Sequence, residues 1–265
     1  GDTLYSAATD VVRTFVIERV TVTRGAFSIA QKTYGDAAFD LVNPTATFGG
    51  TDVAGTWSYV SATNSVATVS GNRVTIVGQG TSMITATFTP EDTGKYNTGS
   101  EQTTLTVVRA APALGALSVP SPNKSFGDAA FSLTAPTATF GGTDVAGSWT
   151  YSSTTPSVAT ISESTVTVAG AGTSTLTATF TPTDSTNYSS GSVTATLTID
   201  KAAPAFSWSN VSATFGDVNA TITAPTVVGS IAGSWSYVSA TTSVANISGS
   251  DFDFGNAGTS VVTAT

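Results

Sequence analysis

Acidic, aromatic and lysine side chains at recurring positions are the residues of this chain that could do chemistry. Asp36, Asp128 and Asp217 each follow an aromatic-Gly pair, and Asp52 and Asp144 sit in matched GGTDVAG loops. Loop carboxylates suggest calcium, but a hard cation needs several oxygen ligands at once. No segment is as dense in Asp as an EF-hand loop, and the third copy has Ser230 in the loop that elsewhere carries Asp52 or Asp144. A Gly-Asp pair ahead of a strand reads as turn chemistry. No cofactor is therefore expected, and calcium, if bound at all, belongs where loops of two domains meet. Lys32 and Lys124 match each other and raise a Lys–Asn isopeptide crosslink, but the third copy has Ala213 there. Trp57, Trp149 and Trp235 each stand two residues before a tyrosine, Tyr59, Tyr151 and Tyr237. On a strand that spacing points both rings to one face. Exposed, the pair is a platform for stacking sugars. Buried, it fills the gap between two sheets. The mid-copy strand position favours a structural core.

Catalysis lacks its usual parts. There is no histidine and no cysteine, so the commonest general base and the thiol nucleophile are missing. No Gly-x-Ser-x-Gly elbow or phosphate loop occurs, and the reading is non-enzymatic. The formal net charge is −8 with only 9 Lys and Arg. Nucleic acid and anionic membrane surfaces need clustered cations, so neither is expected as a partner. No apolar run approaches the length of a membrane helix, so no direct membrane insertion is expected. Absence of cysteine fits a bacterial surface protein held by sheet packing alone.

The elements that position these residues come in copies. Tyr34-Gly35-Asp36, Phe126-Gly127-Asp128 and Phe215-Gly216-Asp217 recur at separations of 92 and 89 residues. That period is too long for helical or leucine-rich solenoids and suits one β-sandwich per repeat. Within a copy, apolar Leu176, Ala178 and Phe180 alternate with Thr175, Thr177 and Thr179, and Val193, Ala195, Leu197 and Ile199 with Thr194, Thr196 and Thr198. Period-2 alternation with one Thr face predicts antiparallel sheet, one side wet. About seven short strands per copy result, separated by Gly-Gly, Gly-Ala-Gly and Thr-Pro turns. The joints read RAAP at 109–112 and KAAP at 201–204, and their prolines predict short, stiff linkers.

The text PSVATIS at 156–162 and VTVAGAGTSTLTAT at 166–179 resembles bacterial Ig-like domains of group 2, and similar text stands at 65–87 and 243–265. The resemblance implies Ig-like sandwiches in the tandem-repeat surface proteins and adhesins of bacteria. It names no ligand.

The expected fold class is all-β, tandem Ig-like β-sandwiches in an elongated rod. The expected organisation is a terminal strand at 1–20 belonging to a preceding or neighbouring domain, repeat 1 at 21–109, repeat 2 at 110–201, and repeat 3 at 202–265 without its last strand. Residues 2–17 match the tail at 184–199, with Tyr5 in the place of Tyr188. An incomplete sandwich leaves an apolar groove and unpaired edge groups. Residues 1–17, with Val12, Phe15 and Ile17 to fill the groove, are expected to complete the third domain of a neighbouring unit by strand addition. The expected partner is thus the protein itself, as a head-to-tail homopolymer or as adjacent repeats of the same chain, in an extracellular fibre or adhesin stalk at the cell surface. The rival expectation is a carbohydrate- or host-protein-binding adhesin module, which requires an exposed aromatic row or a large apolar patch.

Overall fold

A computed structural model describes residue 4 and residues 8–120, 123–214, 216–217, 220–227 and 232–265. Tyr5, Phe215 and Ser230, singled out above, lie outside the described residues. The described chain is all-β, built as β-sandwiches whose sheets recur along the sequence.

In the first repeat the strand Gly80–Pro90 is central. It pairs antiparallel with Gly55–Ser61 on one side and with Gly99–Val108 on the other. Lys32–Thr33 then adds in parallel to the far edge, Val107 opposite Lys32. The facing sheet is Phe39–Asp40, Arg73–Ile76 and Ala67–Ser70, and a small sheet of Thr23–Arg24, Ala46–Phe48 and Thr51–Asp52 closes one end. The second repeat copies this set: Lys124–Ser125, Gly191–Asp200, Gly172–Pro182 and Gly147–Ser153 in one sheet, with Phe131–Ser132, Thr165–Val168 and Ala159–Ser162 facing it.

Alternation decides what is buried. Along Gly172–Pro182 the inward positions Ser174, Leu176, Ala178 and Phe180 are buried, and Leu197 and Ile199 join them from the next strand. Leu176, Ala178, Leu197 and Ile199, together with Leu117, Leu133, Val158, Ala159 and Val166, form the core of the second repeat. Leu41, Tyr59, Val74, Ile84, Leu105 and Val107 anchor the first. Burying such a side chain contributes about 1.5–3 kcal/mol, so each repeat carries a core of its own.

The third repeat is different. Its facing sheet is present, Ala220–Thr221, Asp251–Phe254 and Ala245–Ser248. Among the described residues the other sheet holds Tyr237–Ser239 and Val262–Ala264. Its buried core shrinks to Ile222, Ala245 and Phe252.

The segments that enter the first and second repeats are docked against the sandwiches. Val20 pairs in parallel with Tyr96, and its amide donates to the Lys95 carbonyl at 2.9 Å. Ala110 bridges to Tyr188 in the same sense, and Arg109 Nε donates to the Thr186 carbonyl at 3.1 Å. Residues 19 and 20, placed above in the terminal strand, lie along the edge of the first sandwich, where Val20 pairs with Tyr96 and Arg19 donates to the Thr93 carbonyl.

Candidate functional site: the inter-repeat joint and the open third sandwich

Each residue type with chemical potential has a structural partner. Asp36 Oδ2 accepts from the Thr33 amide at 2.9 Å, Asp128 Oδ2 from Ser125 at 2.9 Å, and Asp217 Oδ2 from Thr214 at 2.7 Å. Each Asp amide also closes a four-residue turn on the carbonyl three residues before it, 3.0 Å in each copy. The intervening glycines have φ of +86°, +94° and +96°, the left-handed region that a turn of this kind demands at its third position. Asp52 and Asp144 are exposed on the small end sheets. Among the described residues no three acidic groups converge. Lys32 Nζ lies 4.5 Å from the Phe39 ring centroid and Lys124 Nζ 5.8 Å from that of Phe131, cation–π positions.

The Trp-Tyr pairs sit against the sheet cores. Trp57 is half-buried and tilted against Phe88, its cross-strand neighbour, at 5.2 Å, and Trp149 repeats this with Phe180 at 5.1 Å. Gly55 and Gly147 make room: a Cβ on either would meet the neighbouring phenylalanine ring at 2.5 Å. Trp235 meets Phe206 edge-on at 5.2 Å instead. Tyr59 is buried, and its hydroxyl donates to Asn43 Oδ1 at 2.6 Å; burial pushes its phenol, and that of half-buried Tyr151, above the ordinary value. Tyr237 is half-buried beside Trp208, ring centroids 5.8 Å apart. The first two pairs and Tyr237 thus pack on the cores of their repeats, while Trp235 packs on the exposed Phe206.

A feature that sequence reasoning missed is an inward serine recurring in all three copies, buried in the first two and half-buried in the third. Ser82 Oγ lies 2.7 Å from Ser61 Oγ and accepts from the Thr63 amide at 3.0 Å. Ser174 does the same with Ser153 and Thr155, and Ser260 with Ser239 and Thr241. Its signal was a hydroxyl on the apolar phase of the central strand.

The joint between the first two repeats was also missed. Tyr34, in the turn that ends at Asp36, meets Tyr188 of the second repeat edge-on at 5.4 Å, and Phe140 meets Tyr188 at 5.9 Å. Gly35 lies flat on Phe140: a Cβ there would come within 2.5 Å of the ring. Asn187 Oδ1 accepts from the Gln79 amide across the joint at 2.8 Å. Asn187 is itself held by Asp184, its Nδ2 donating to Oδ2 at 2.8 Å and its amide to Oδ1 at 3.1 Å. These bonds hold the Asp184 carboxyl below the ordinary carboxylate range. Desolvation raises the Tyr188 phenol, with smaller contributions from Tyr34 and Asp184 in the same direction.

The third sandwich is open along its core. A groove of ≈ 620 Å³ runs between Trp208, Val244, Ala245, Phe252, Phe254 and Val262. In the second repeat Leu197 and Ile199 fill the corresponding space. Elsewhere in the chain, Val12, Phe15 and Ile17 are 87, 88 and 95% exposed, and residues 8–17 join no sheet.

No family model matches the chain and no curated protein does. Solved structures similar to it include Drosophila N-cadherin EC1-3, at 14% identity, TM-score 0.26, covering 70% of this chain and 68% of the other. Domains 4 and 5 of the S-layer protein SbsC match at 19% identity and TM-score 0.25, over 69% of this chain and 96% of theirs. The fibronectin(III)-like modules of Clostridium thermocellum CbhA match at 14% identity and TM-score 0.25, over 68% and 94%. Likeness at this level carries no argument about what the chain does.

Proposed function

We propose that this chain is a non-catalytic structural segment, a run of Ig-like modules of the group 2 bacterial type in a cell-surface fibre or adhesin stalk that continues head to tail. Residues 8–17 of one unit complete the third sandwich of its neighbour. The observation that carries this reading is the pairing of an open ≈ 620 Å³ core groove with an apolar segment that joins no sheet in the same molecule. A full sandwich flanks its central strand on both sides, as Gly172–Pro182 is flanked by Gly147–Ser153 and Gly191–Asp200. Val262–Ala264 is paired on one side only among the described residues. An added strand supplies the missing ladder and places alternate side chains in the groove. Phe15 and Ile17, two apart, share one face and are the side chains assigned to it, whereas Val12 lies in the opposite phase and reaches the groove only across a one-residue bulge. A heterologous contact of this kind does not close on itself and grows as a filament.

The test is strand addition in trans. A chain lacking residues 1–17 is expected to remain monomeric and to bind a peptide of residues 1–17, with the amides of Val262 and Ala264, which face away from Tyr237–Ser239, becoming protected from exchange. A peptide carrying Val12→Asp, Phe15→Asp and Ile17→Asp is expected not to bind. Protection of those amides without the peptide, or equal binding of both peptides, would refute the reading.

A further inference from the structure

We infer that Tyr34 and Tyr188 are a modification site: the two phenols at the joint between the first and second repeats are placed for oxidative coupling into a dityrosine that ties the modules covalently. Coupling there is independent of whether residues 8–17 add to a neighbour.

Without cysteine the chain has no disulfide with which to join its modules. Phenols are the side chains left that form a carbon–carbon bond under one-electron oxidation. Of the seven tyrosines, Tyr34 and Tyr188 are the pair whose rings meet among the described residues, centroids 5.4 Å apart and edge-on at 87°. Tyr59 packs instead on Phe27, Tyr96 on Phe48 and Tyr237 on Trp208, so none of these meets a second phenol. Both joint rings are half-buried, open to water and a small oxidant yet held in place. Tyr34 leans on the first core, and its amide bonds to the Val108 carbonyl at 2.8 Å. Tyr188 is backed by Phe140 at 5.9 Å, and its amide bonds to the Asp184 carbonyl at 3.0 Å. The neighbouring Asn187 fixes the joint by accepting from the Gln79 amide at 2.8 Å. The second repeat has Phe126 where the first has Tyr34, so the site belongs to this joint.

The oxidant is hydrogen peroxide turned over by a haem peroxidase. Each phenol gives one electron to the peroxidase and its proton to water, which leaves a phenoxyl radical on each ring. Turning about Cβ–Cγ brings the ring edges together, and proximity makes their coupling effectively unimolecular. The radicals join through the ring carbons next to the hydroxyls. Each joined carbon then passes its proton to the oxygen, and both phenols are restored. One peroxide takes up the two electrons and two protons and leaves as two waters.

The bond changes the path of tension. Load that enters at Tyr34 passes straight to Tyr188, and residues 35–187 leave that path. They include Gly80–Pro90, the central strand of the first repeat, and Lys124–Ser125, the parallel edge strand of the second.

The whole chain at low concentration is treated with a haem peroxidase and limiting hydrogen peroxide. Dityrosine is read by its fluorescence and by mass, as tryptic peptides 33–73 and 125–201 joined with loss of two hydrogens. A monomer carrying that bond is expected, in a yield that dilution does not change. Tyr34→Phe keeps the ring and gives the first repeat what the second already has at Phe126. It is expected to lower the dityrosine of the monomer at least about tenfold, as is Tyr188→Phe. Tyr151→Phe, on the same tryptic peptide as Tyr188, is expected to leave it unchanged. Pulled by its ends, the oxidised chain is expected to lose about 500 Å of extension, at 3.3–3.6 Å for each bypassed residue. Dityrosine that forms only between molecules, a yield indifferent to Tyr34→Phe, or full extension of the oxidised chain would each overturn the inference.

Discussion

Gly35→Ala is expected to damage the molecule more than Gly127→Ala, although the two turns are alike. Both glycines have a left-handed φ, +86° and +94°. An alanine there costs about 1–2 kcal/mol from the backbone alone, and that cost is common to both variants. The surroundings differ. A Cβ at Gly35 would sit 2.5 Å from Phe140 Cε1, whereas one at Gly127 meets nothing within 4 Å. The Phe140 ring is itself wedged against Tyr188, so it has little room to give. Overpacking of this kind costs about 1–3 kcal/mol when the contact is kept. The expected totals are about 2–5 kcal/mol for Gly35→Ala and about 1–2 for Gly127→Ala. If the joint opens instead, the excess disappears from the unfolding curve and reappears in exchange: the Gln79 amide, bonded to Asn187 Oδ1 at 2.8 Å, loses protection. The assays are urea unfolding and amide exchange at Gln79, run on both variants. Equal stability loss with Gln79 protected in both would show that the turn does not bear on Phe140.

Ser174→Ala strips the Thr155 amide of its acceptor inside the sandwich and is expected to cost about 1–3 kcal/mol in denaturant unfolding, with Ser82→Ala matching it in the first repeat. Trp149→Ala removes a half-buried ring from Phe180 and is expected to cost about 3 kcal/mol, at the low end of large-to-small changes; a loss under about 1 kcal/mol would mean that the ring packs little. Acid is expected to loosen the joint. Because hydrogen bonds from Asn187 depress the folded Asp184 pKa, their contribution is present above the unfolded carboxylate value of about 3.9 and is lost as pH falls through the lower folded value. Exchange at Gln79, followed from pH 5 downward in a titration of about three units, should accelerate in the native chain, and Asp184→Ala should remove that dependence.

Much of the fold was legible because burial on one face of a strand forces a period of two. Leu176, Ala178 and Phe180 are the buried phase of their strand, and the copies repeat that phase, so the all-β architecture follows from text alone. The joint was not legible. Tyr34 and Tyr188 are far apart in sequence and belong to different copies, and no local periodicity marks a ring that packs against another module. The Gly-Asp pairs were read as turns, which they are, but a turn's outer surface leaves no trace in the pattern that forms it. Ser82 was hidden by company: in a chain this rich in Ser and Thr, a single inward hydroxyl differs from its neighbours only in phase. Val12, Phe15 and Ile17 were legible as apolar, while the groove between Trp208, Phe252 and Val262 is formed by residues far apart in sequence.

The parallel edge at Lys32–Thr33 has a mechanical meaning. In each of the first two repeats a short entering strand lies alongside the leaving strand, Lys32 opposite Val107 and Lys124 opposite Ile199. The Tyr34 amide adds one more bond, to the Val108 carbonyl at 2.8 Å, and Phe126 repeats it with Asp200 at 2.9 Å. Tension applied along the chain draws two parallel neighbours past each other. Their ladder bonds are then loaded together in shear, whereas a hairpin pulled apart at its open end yields one bond at a time. Forced unfolding is governed by the rate of crossing the unfolding barrier rather than by equilibrium stability. Two residues of parallel ladder in each of the first two modules are thus the bonds that tension along the chain loads first in shear.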